Sequence, residues 1–187
     1  ISLLPALVAA TCLFGLRALL LSACCIVFCV GFEYLACRMW KRPNSIGDLS
    51  AAVTGLLLAL NLPVTLPIPM AAIGCFFAIV IVKQLFGGIG QNFVNPALAA
   101  RVMLLVSFAQ PMTHWVLPGQ SASPDAVTSA TPLGMLALEG SGELPSYWQL
   151  FIGMHGGSLG ETCIAALLIG GVFLLLTKVI RPVIPLT

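Results

Sequence analysis

Apolar positions fall into six long runs, not into the alternating or one-sided patterns of a water-soluble fold. Residues 1–14, 16–39, 47–62, 68–84, 96–110 and 159–177 are predominantly apolar, and glycine, proline and charged residues separate them. Such runs predict membrane-embedded helices. At 1.5 Å per residue, 16–39 reaches about 36 Å, enough to cross a hydrocarbon core of roughly 30 Å. Residues 47–62 and 68–84 reach only about 24 Å each, and 96–110 less. Residues 1–14 read as the end of a span and 159–177 as a last one. Short spans bounded by glycine and proline predict broken or tilted helices around a site. Their irregular backbone must be buried in protein, because lipid offers it no hydrogen bonds.

Local signals place the helix limits. Ser45-Ile-Gly-Asp48 can cap the third run, Asn95-Pro96 offers an N-cap and an N1 proline, and Ser158-Leu-Gly-Glu161 reads as a capping box. Leu62-Pro-Val-Thr-Leu-Pro-Ile-Pro69 is a turn that no helix crosses. Gly87-Gly88-Ile-Gly90 follows an apolar span, not a β-strand, so it predicts a tight turn and not a dinucleotide fingerprint.

Composition narrows the class. Only 7% of residues are charged and 59% are hydrophobic, too few charges to clothe a soluble surface. A net charge of +2 without a basic aromatic patch argues against nucleic acid. The expected fold is an all-α integral membrane protein, a polytopic helical bundle with short or broken helices, residues 1–187 forming a single transmembrane domain. The chain opens at Ile1 inside an apolar run, and Pro182–Thr187 reads as the start of a further span. One repeat plus part of a longer chain is therefore expected, with residues missing at both ends.

The eight basic residues set the orientation. With Lys41 and Arg42 cytoplasmic, Arg38, Lys83, Arg101, Lys178 and Arg181 also fall inside and only Arg17 outside, as the positive-inside rule requires. Residues 111–148 then form an extracytoplasmic loop carrying Asp125, Glu139 and Glu143 but no lysine or arginine. Loops of this length are usually functional or disordered. In its middle, Thr131 is a good N-cap and Pro132 a good N1 residue, predicting a short helix over Pro132–Leu138 before Gly140. The N-terminus of such a helix attracts phosphate.

Other chemistry is sparse. The seven cysteines form no C-x-x-C pair, and Cys25 and Cys29, at i,i+4 on one helix face, read as small apolar filling and not as metal ligands. Glu33 lies within a span, where a carboxylate is either functional or paired near the membrane boundary. Glu161 reads as a capping residue, and His114 and His155 as interfacial side chains. No catalytic residue and no metal site are expected.

Three stretches carry a family resemblance. Asp125-Ala-Val-Thr128-Ser129-Ala130-Thr131 resembles the flavin-transferase acceptor motif D-x-x-[ST]-[SG]-A-T. Lys83-Gln-Leu-Phe-Gly-Gly-Ile-Gly-Gln-Asn-Phe-Val-Asn-Pro-Ala97 and Gly156-Gly-Ser-Leu-Gly-Glu161 resemble two further motifs of the RnfD/NqrB family, in the same order. The Pro-Leu after Thr131 resembles the RnfD branch. The resemblance implies FMN esterified through its phosphate to Thr131, with Asp125, Thr128, Ser129 and Ala130 completing the motif that the flavin transferase reads. It implies a membrane subunit of an ion-translocating ferredoxin:NAD oxidoreductase (Rnf) complex in a bacterial or archaeal cytoplasmic membrane. FMN would relay electrons there, and other subunits and Na⁺ or H⁺ would be partners. An NqrB-like subunit of a Na⁺-pumping NADH:quinone oxidoreductase is the alternative. In that branch a second flavin, riboflavin, is expected, and the amides of Asn92 and Asn95 suit its alternating donors and acceptors; Asn95 as an N-cap is the competing account. Asn95-Pro96-Ala97 also resembles an aquaporin half-helix, but a passive channel or a purely structural subunit leaves the acceptor motif unexplained.

Overall fold

The computed structural model describes residues 1–41, 45–88, 90–119 and 146–180, and these residues are helical without a β-strand. Helices α1 (Leu4–Phe14) and α2 (Leu16–Met39) are followed by a 3-10 turn at Ile46–Asp48 and by α3 (Ser50–Leu60). Next come α4 (Ile68–Phe76), which continues as a π-helix over Phe77–Gln84, then α5 (Pro96–Ser107) and α6 (Ala109–Met112). Two more follow, α7 (Tyr147–Ile152) and α8 (Ile164–Leu176). Among the described residues α2 alone is long and apolar enough to cross a membrane; α1, α3, the α4–π segment, α5 and α8 are apolar helices of 10–17 residues.

The interior is built from small side chains. Along α2 the buried positions include Ala18, Ser22, Cys25, Cys29 and Glu33, spaced three or four residues apart and therefore on one face. This face meets Ala51, Gly55, Leu58 and Ala59 of α3 and Ala71 and Cys75 of α4. The large residues Leu19, Leu20, Val27 and Leu35 of α2, Leu105 and Val106 of α5, and Leu168 and Ile169 of α8 point outward. A water-soluble bundle would bury such residues. In lipid, large apolar side chains gain nothing by leaving the tails, and helices associate by letting backbones approach over small residues. Ser22 and Thr54 satisfy their hydroxyls on the carbonyls four residues back, at 2.8 and 2.9 Å.

One end of the bundle is tied by hydrogen bonds around the proline turn. Arg17 Nε donates to the Val64 carbonyl at 3.0 Å and Nη2 to that of Thr65 at 3.2 Å, holding the turn between α3 and α4. Thr65 Oγ1 donates to the His114 carbonyl at 3.1 Å, and Gly119 N–H to the Leu13 carbonyl at 2.9 Å. The irregular segment before α8 docks on the end of α3, with Leu159 N–H on the Leu62 carbonyl at 3.2 Å and Gly160 N–H on that of Leu60 at 2.7 Å. Its backbone is thus partnered by protein, as membrane depth requires.

Three sequence expectations change here. Ser45 does not cap α3; its hydroxyl turns back to Glu33, and Leu49 occupies the N-cap position in the left-handed region at φ 58°. Asp48 takes the capping task from one residue earlier, accepting from Ser50 N–H at 3.1 Å. Ser158 and Glu161 bond to each other, Oγ to Oε2 at 2.6 Å, and α8 starts later, at Ile164. A capping box does form at Ser146 and Gln149, where Ser146 N–H donates to Gln149 Oε1 at 2.9 Å. The S-x-x-Q pattern stood in the sequence, hidden by the long loop before it. Asn95 caps α5 as expected, accepting from Ala97 N–H at 3.0 Å.

The α2–α3 seam yields a direct test. A Cβ on Gly55 would lie 2.8 Å from the Cys25 carbonyl oxygen and 2.9 Å from Ile26 Cα, both backbone atoms. Gly55→Ala should therefore cost about 1–3 kcal/mol by forcing the helices apart. Gly31→Ala, where a Cβ meets nothing within 4 Å, should be neutral or mildly stabilising. Thermal unfolding of the two variants in detergent compares them.

Candidate functional site

Two helices running in the same direction bring a carboxylate and an ammonium to one depth. Glu33 lies 17 residues beyond Leu16, and Lys83 lies 15 residues beyond Ile68, rises of about 26 and 23 Å. Lys83 Nζ sits 2.7 Å from Glu33 Oε1, with the side chains 2% and 0% exposed. Ser45 Oγ donates to the same oxygen at 2.6 Å and Gln84 Nε2 at 3.1 Å. Lys83 Nζ also donates to Ser50 Oγ at 2.5 Å, and Ser50 Oγ donates onward to Asp48 Oδ1 at 2.8 Å. The hydroxyl and then the backbone N–H of Ser50 hold the exposed Asp48 carboxyl below its ordinary range. Glu33 Oε2 is buried without a hydrogen-bond partner among the described residues.

The π-helix aims these groups. Ala78 and Lys83, and likewise Ile79 and Gln84, are five residues apart and buried, the spacing of an i→i+5 helix. The hydrogen bonds Leu85 N–H to Val80 carbonyl and Gly88 N–H to Lys83 carbonyl, at 3.1 and 3.0 Å, have that same period. Consecutive residues Lys83 and Gln84 can then both reach Glu33.

Beside the pair opens a cavity of about 580 Å³, lined among others by Ser50, Lys83, Asn92, Phe93 and Asn95. Its size lies in the range of small-molecule sites. Asn92 and Asn95, paired in the sequence reading as a flavin-binding couple, thus share one wall. With its amide nitrogen turned to the helix end, Asn92 donates to the carbonyls of Val82, Lys83 and Gly88 at 3.1, 3.2 and 3.2 Å, closing the π-helix. Asn95 spends its oxygen on the α5 cap. Phe93 is exposed and stands edge-on to Phe86, centroids 4.9 Å apart. The turn between them needs glycine, with φ of 113° at Gly87 and 100° at Gly88.

A second polar locus lies deeper. Arg101 Nη1 donates to Asn61 Oδ1 at 3.1 Å, and Asn61 Nδ2 to the Leu57 carbonyl at 2.8 Å. Asn61, Ser158, Gly160 and Glu161 line a recess of about 200 Å³ beside it. At the Arg17 end the His114 carbonyl takes the Thr65 hydroxyl, and the His155 ring lies 3.2 Å from the Gly156 carbonyl through Nδ1. Among the described residues no three His, Cys, Asp or Glu side chains group as metal ligands. Cys75 Sγ donates to the Cys25 carbonyl at 3.7 Å.

The acceptor motif, Asp125, Thr128, Ser129, Ala130 and Thr131, lies outside the described residues, as does the expected helix Pro132–Leu138. Its flanks are described: Gly119 is bonded to Leu13, and Gly153, at the end of α7, packs on Thr162 and Leu13. Both belong to the Arg17 end, opposite the Glu33–Lys83 pair. Sequence reasoning placed Lys83 at the inner end of the 68–84 run and expected Glu33 to be functional or paired, but did not join the two. The available signal was depth, a carboxylate and a lysine each about 25 Å into an apolar run.

Comparison with known proteins covers the whole chain. The sequence model described as the NQR2, RnfD, RnfE family matches residues 1–187. The chain is 46% identical over 187 residues to the D subunit of the Na(+)-translocating ferredoxin:NAD(+) oxidoreductase complex of Acetobacterium woodii, covering 99% of this chain and 58% of that protein. It is 41% identical over 193 residues to the D subunit of the proton-translocating ferredoxin:NAD(+) oxidoreductase complex of Clostridium ljungdahlii, covering 99% and 58%. It is 35% identical over 157 residues to the B subunit of the Na(+)-translocating NADH-quinone reductase of Chromohalobacter salexigens, covering 82% and 37%. The chain thus spans less than two thirds of the length of these relatives.

Breaking the pair from one side should be far worse than neutralising it. Lys83→Met leaves Glu33 buried and unpaired, a loss of about 3–5 kcal/mol. The double variant Glu33→Gln/Lys83→Gln removes both charges and keeps hydrogen-bonding groups, and should recover most of that loss. Unfolding in detergent measures the difference as a double-mutant cycle.

Proposed function

The chain belongs to the NQR2, RnfD, RnfE family, and on that premise we propose that it acts as the D-type membrane subunit of an ion-translocating ferredoxin:NAD oxidoreductase complex, relaying electrons through FMN carried on Thr131. One observation carries the reading: the seven residues 125–131 match the flavin-transferase acceptor pattern at every position, in a chain matched by the family over its whole length. The identities of 46% and 41% to two proteins named as D subunits, against 35% to a protein named as a B subunit, favour the Rnf branch over the NqrB-like one. The names of the two D subunits carry different ions, sodium and proton, so the coupling ion is not a property of the family.

Threonine chemistry fits the attachment. Its hydroxyl supplies the oxygen of a phosphoester, and the free N–H groups of a helix starting at Pro132 would favour the phosphate. The bound flavin would supply electron transfer in single or paired steps; the protein's part is attachment, orientation and exclusion of water. The transferase and the other subunits of the complex are the partners this reading requires.

The cavity at the other end supports a non-covalent flavin as a second carrier. Its volume of about 580 Å³ and its mixed wall, with Phe93 as an apolar surface and Asn92, Asn95 and Ser50 as polar ones, suit a planar heteroaromatic ring. With Arg38, Lys41, Arg42, Lys178 and Arg181 on the inside, the positive-inside rule supports a cytoplasmic cavity and an outer Thr131 segment. Arg17, the exception, is consumed by the carbonyls of Val64 and Thr65.

Thr131→Val should abolish the fluorescent flavin band on a denaturing gel while the complex still assembles, and Thr128→Val should leave the band intact. Flavin persisting in Thr131→Val would remove the relay's main support. For the orientation, a cysteine placed at Ser121 in a background without native cysteines should react with an impermeant thiol reagent added outside whole cells, and one at Asn44 should not. Reversed labelling would put the Thr131 loop in the cytoplasm.

A further inference from the structure

The Glu33–Lys83 pair is not symmetric toward the cavity. Lys83 and Ser50 line it, whereas Glu33, wholly buried, lies behind Lys83 and takes no part in the lining. The ammonium is fixed there by Glu33 Oε1 and Ser50 Oγ, and its carbonyl is held by the Asn92 amide. Of the two paired residues, the cation thus borders the cavity and the carboxylate does not. The other charge in reach, Asp48, is exposed and joined only through Ser50, so water screens its field. A buried charge acts across the cavity through a far lower dielectric.

We propose that Lys83 sets the reduction potential of the ring bound in this cavity, raising it by stabilising the negative charge that the ring gains on reduction. This rests on the reading of the cavity as a non-covalent flavin site. Two electrons and one proton turn the neutral oxidised ring into a reduced ring carrying one negative charge. In the complex the electrons come from reduced ferredoxin, two one-electron donors per ring, and in the test they come from dithionite. Lys83 neither gives nor takes a proton in this step. Its field favours the product over the reactant, so it acts as a positioning charge and not as a catalytic group. The arrangement gives a costly buried ion pair at the wall of a cavity a use: the carboxylate and Ser50 fix the lysine, and the lysine borders the ligand space.

The test uses the whole complex carrying Thr131→Val, so that this subunit holds no covalent flavin. Extractable flavin is quantified and its midpoint potential is measured by dithionite titration in the wild-type pair, in Lys83→Arg and in Glu33→Gln/Lys83→Gln. The double variant avoids an unpaired buried carboxylate and so guards against misfolding. Lys83→Arg, which keeps the charge, should hold flavin at the wild-type potential. The double variant removes both charges of the pair, so it should hold flavin at a slightly more negative potential, its reduction equilibrium shifted by about twofold, the net effect of opposite charges at ~10 and ~13 Å at an effective dielectric near ~20. An unchanged potential with full flavin content overturns the proposal, as does an equal drop in Lys83→Arg. Loss of the flavin from the double variant overturns it in favour of a purely holding role. Absence of the cavity flavin in the wild-type pair, shown by extractable flavin that does not fall when Asn92 and Asn95 are both replaced by leucine, defeats the flavin reading of the cavity itself.

Discussion

A charge buried at membrane depth must be answered by another, and the Glu33–Lys83 contact of 2.7 Å is that answer here. Much of the local architecture serves it. Helix α2 supplies the carboxylate. The α4 segment changes from α to π so that Lys83 and Gln84 both turn inward. Ser45 leaves the expected capping role to bond Glu33, Ser50 accepts from Lys83, and Asn92 closes the helix that carries the lysine. The cavity beside the pair is therefore a product of the same constraint. Where four segments converge on two charges, side chains cannot also fill the space around them.

The rest of the bundle follows from the solvent. Small residues make the seams and large apolar residues face outward, because lipid rewards close backbone approach and not burial of leucine. Gly55 against Cys25 and Ile26, and Gly160 against Leu60, show how little space separates the elements. The irregular residues 156–163 are tolerated because the end of α3 receives their N–H groups. Family membership over residues 1–187 agrees with a helical membrane architecture.

The sequence expectations succeeded where the determining physics is local. Residues 16–39 were expected as a span and form α2; Asn95 was expected to cap α5 and does; the proline turn ends α3 and starts α4. They went astray where a distant partner competes for a local one. Ser45 had a helix start a few residues away, yet a buried carboxylate is a stronger acceptor requirement than an exposed N–H, which water can satisfy. Ser158 and Glu161 differ: three residues apart, they bond to each other in place of the helix backbone. Asn92 and Asn95 were singled out together, and they do share a cavity wall, each with a backbone task of its own.

What the sequence alone determined is the membrane class, the limits of the longest span and the proline and glycine turns, because each depends on composition or on neighbours within a few residues. Tertiary structure alone decided that Lys83 is the buried partner of Glu33 and that it borders a cavity shared with Asn92 and Asn95. It also decided that Arg17 serves the carbonyls of the Val64–Thr65 turn. These pairings join residues roughly fifty positions apart, with the exception of the cavity asparagines, and depend on the depth and rotation of separate helices. Rotation in turn depended on the π-helical stretch, whose five-residue period no local signal in Phe77–Gln84 announces; it exists because two polar side chains on consecutive residues have one carboxylate to satisfy.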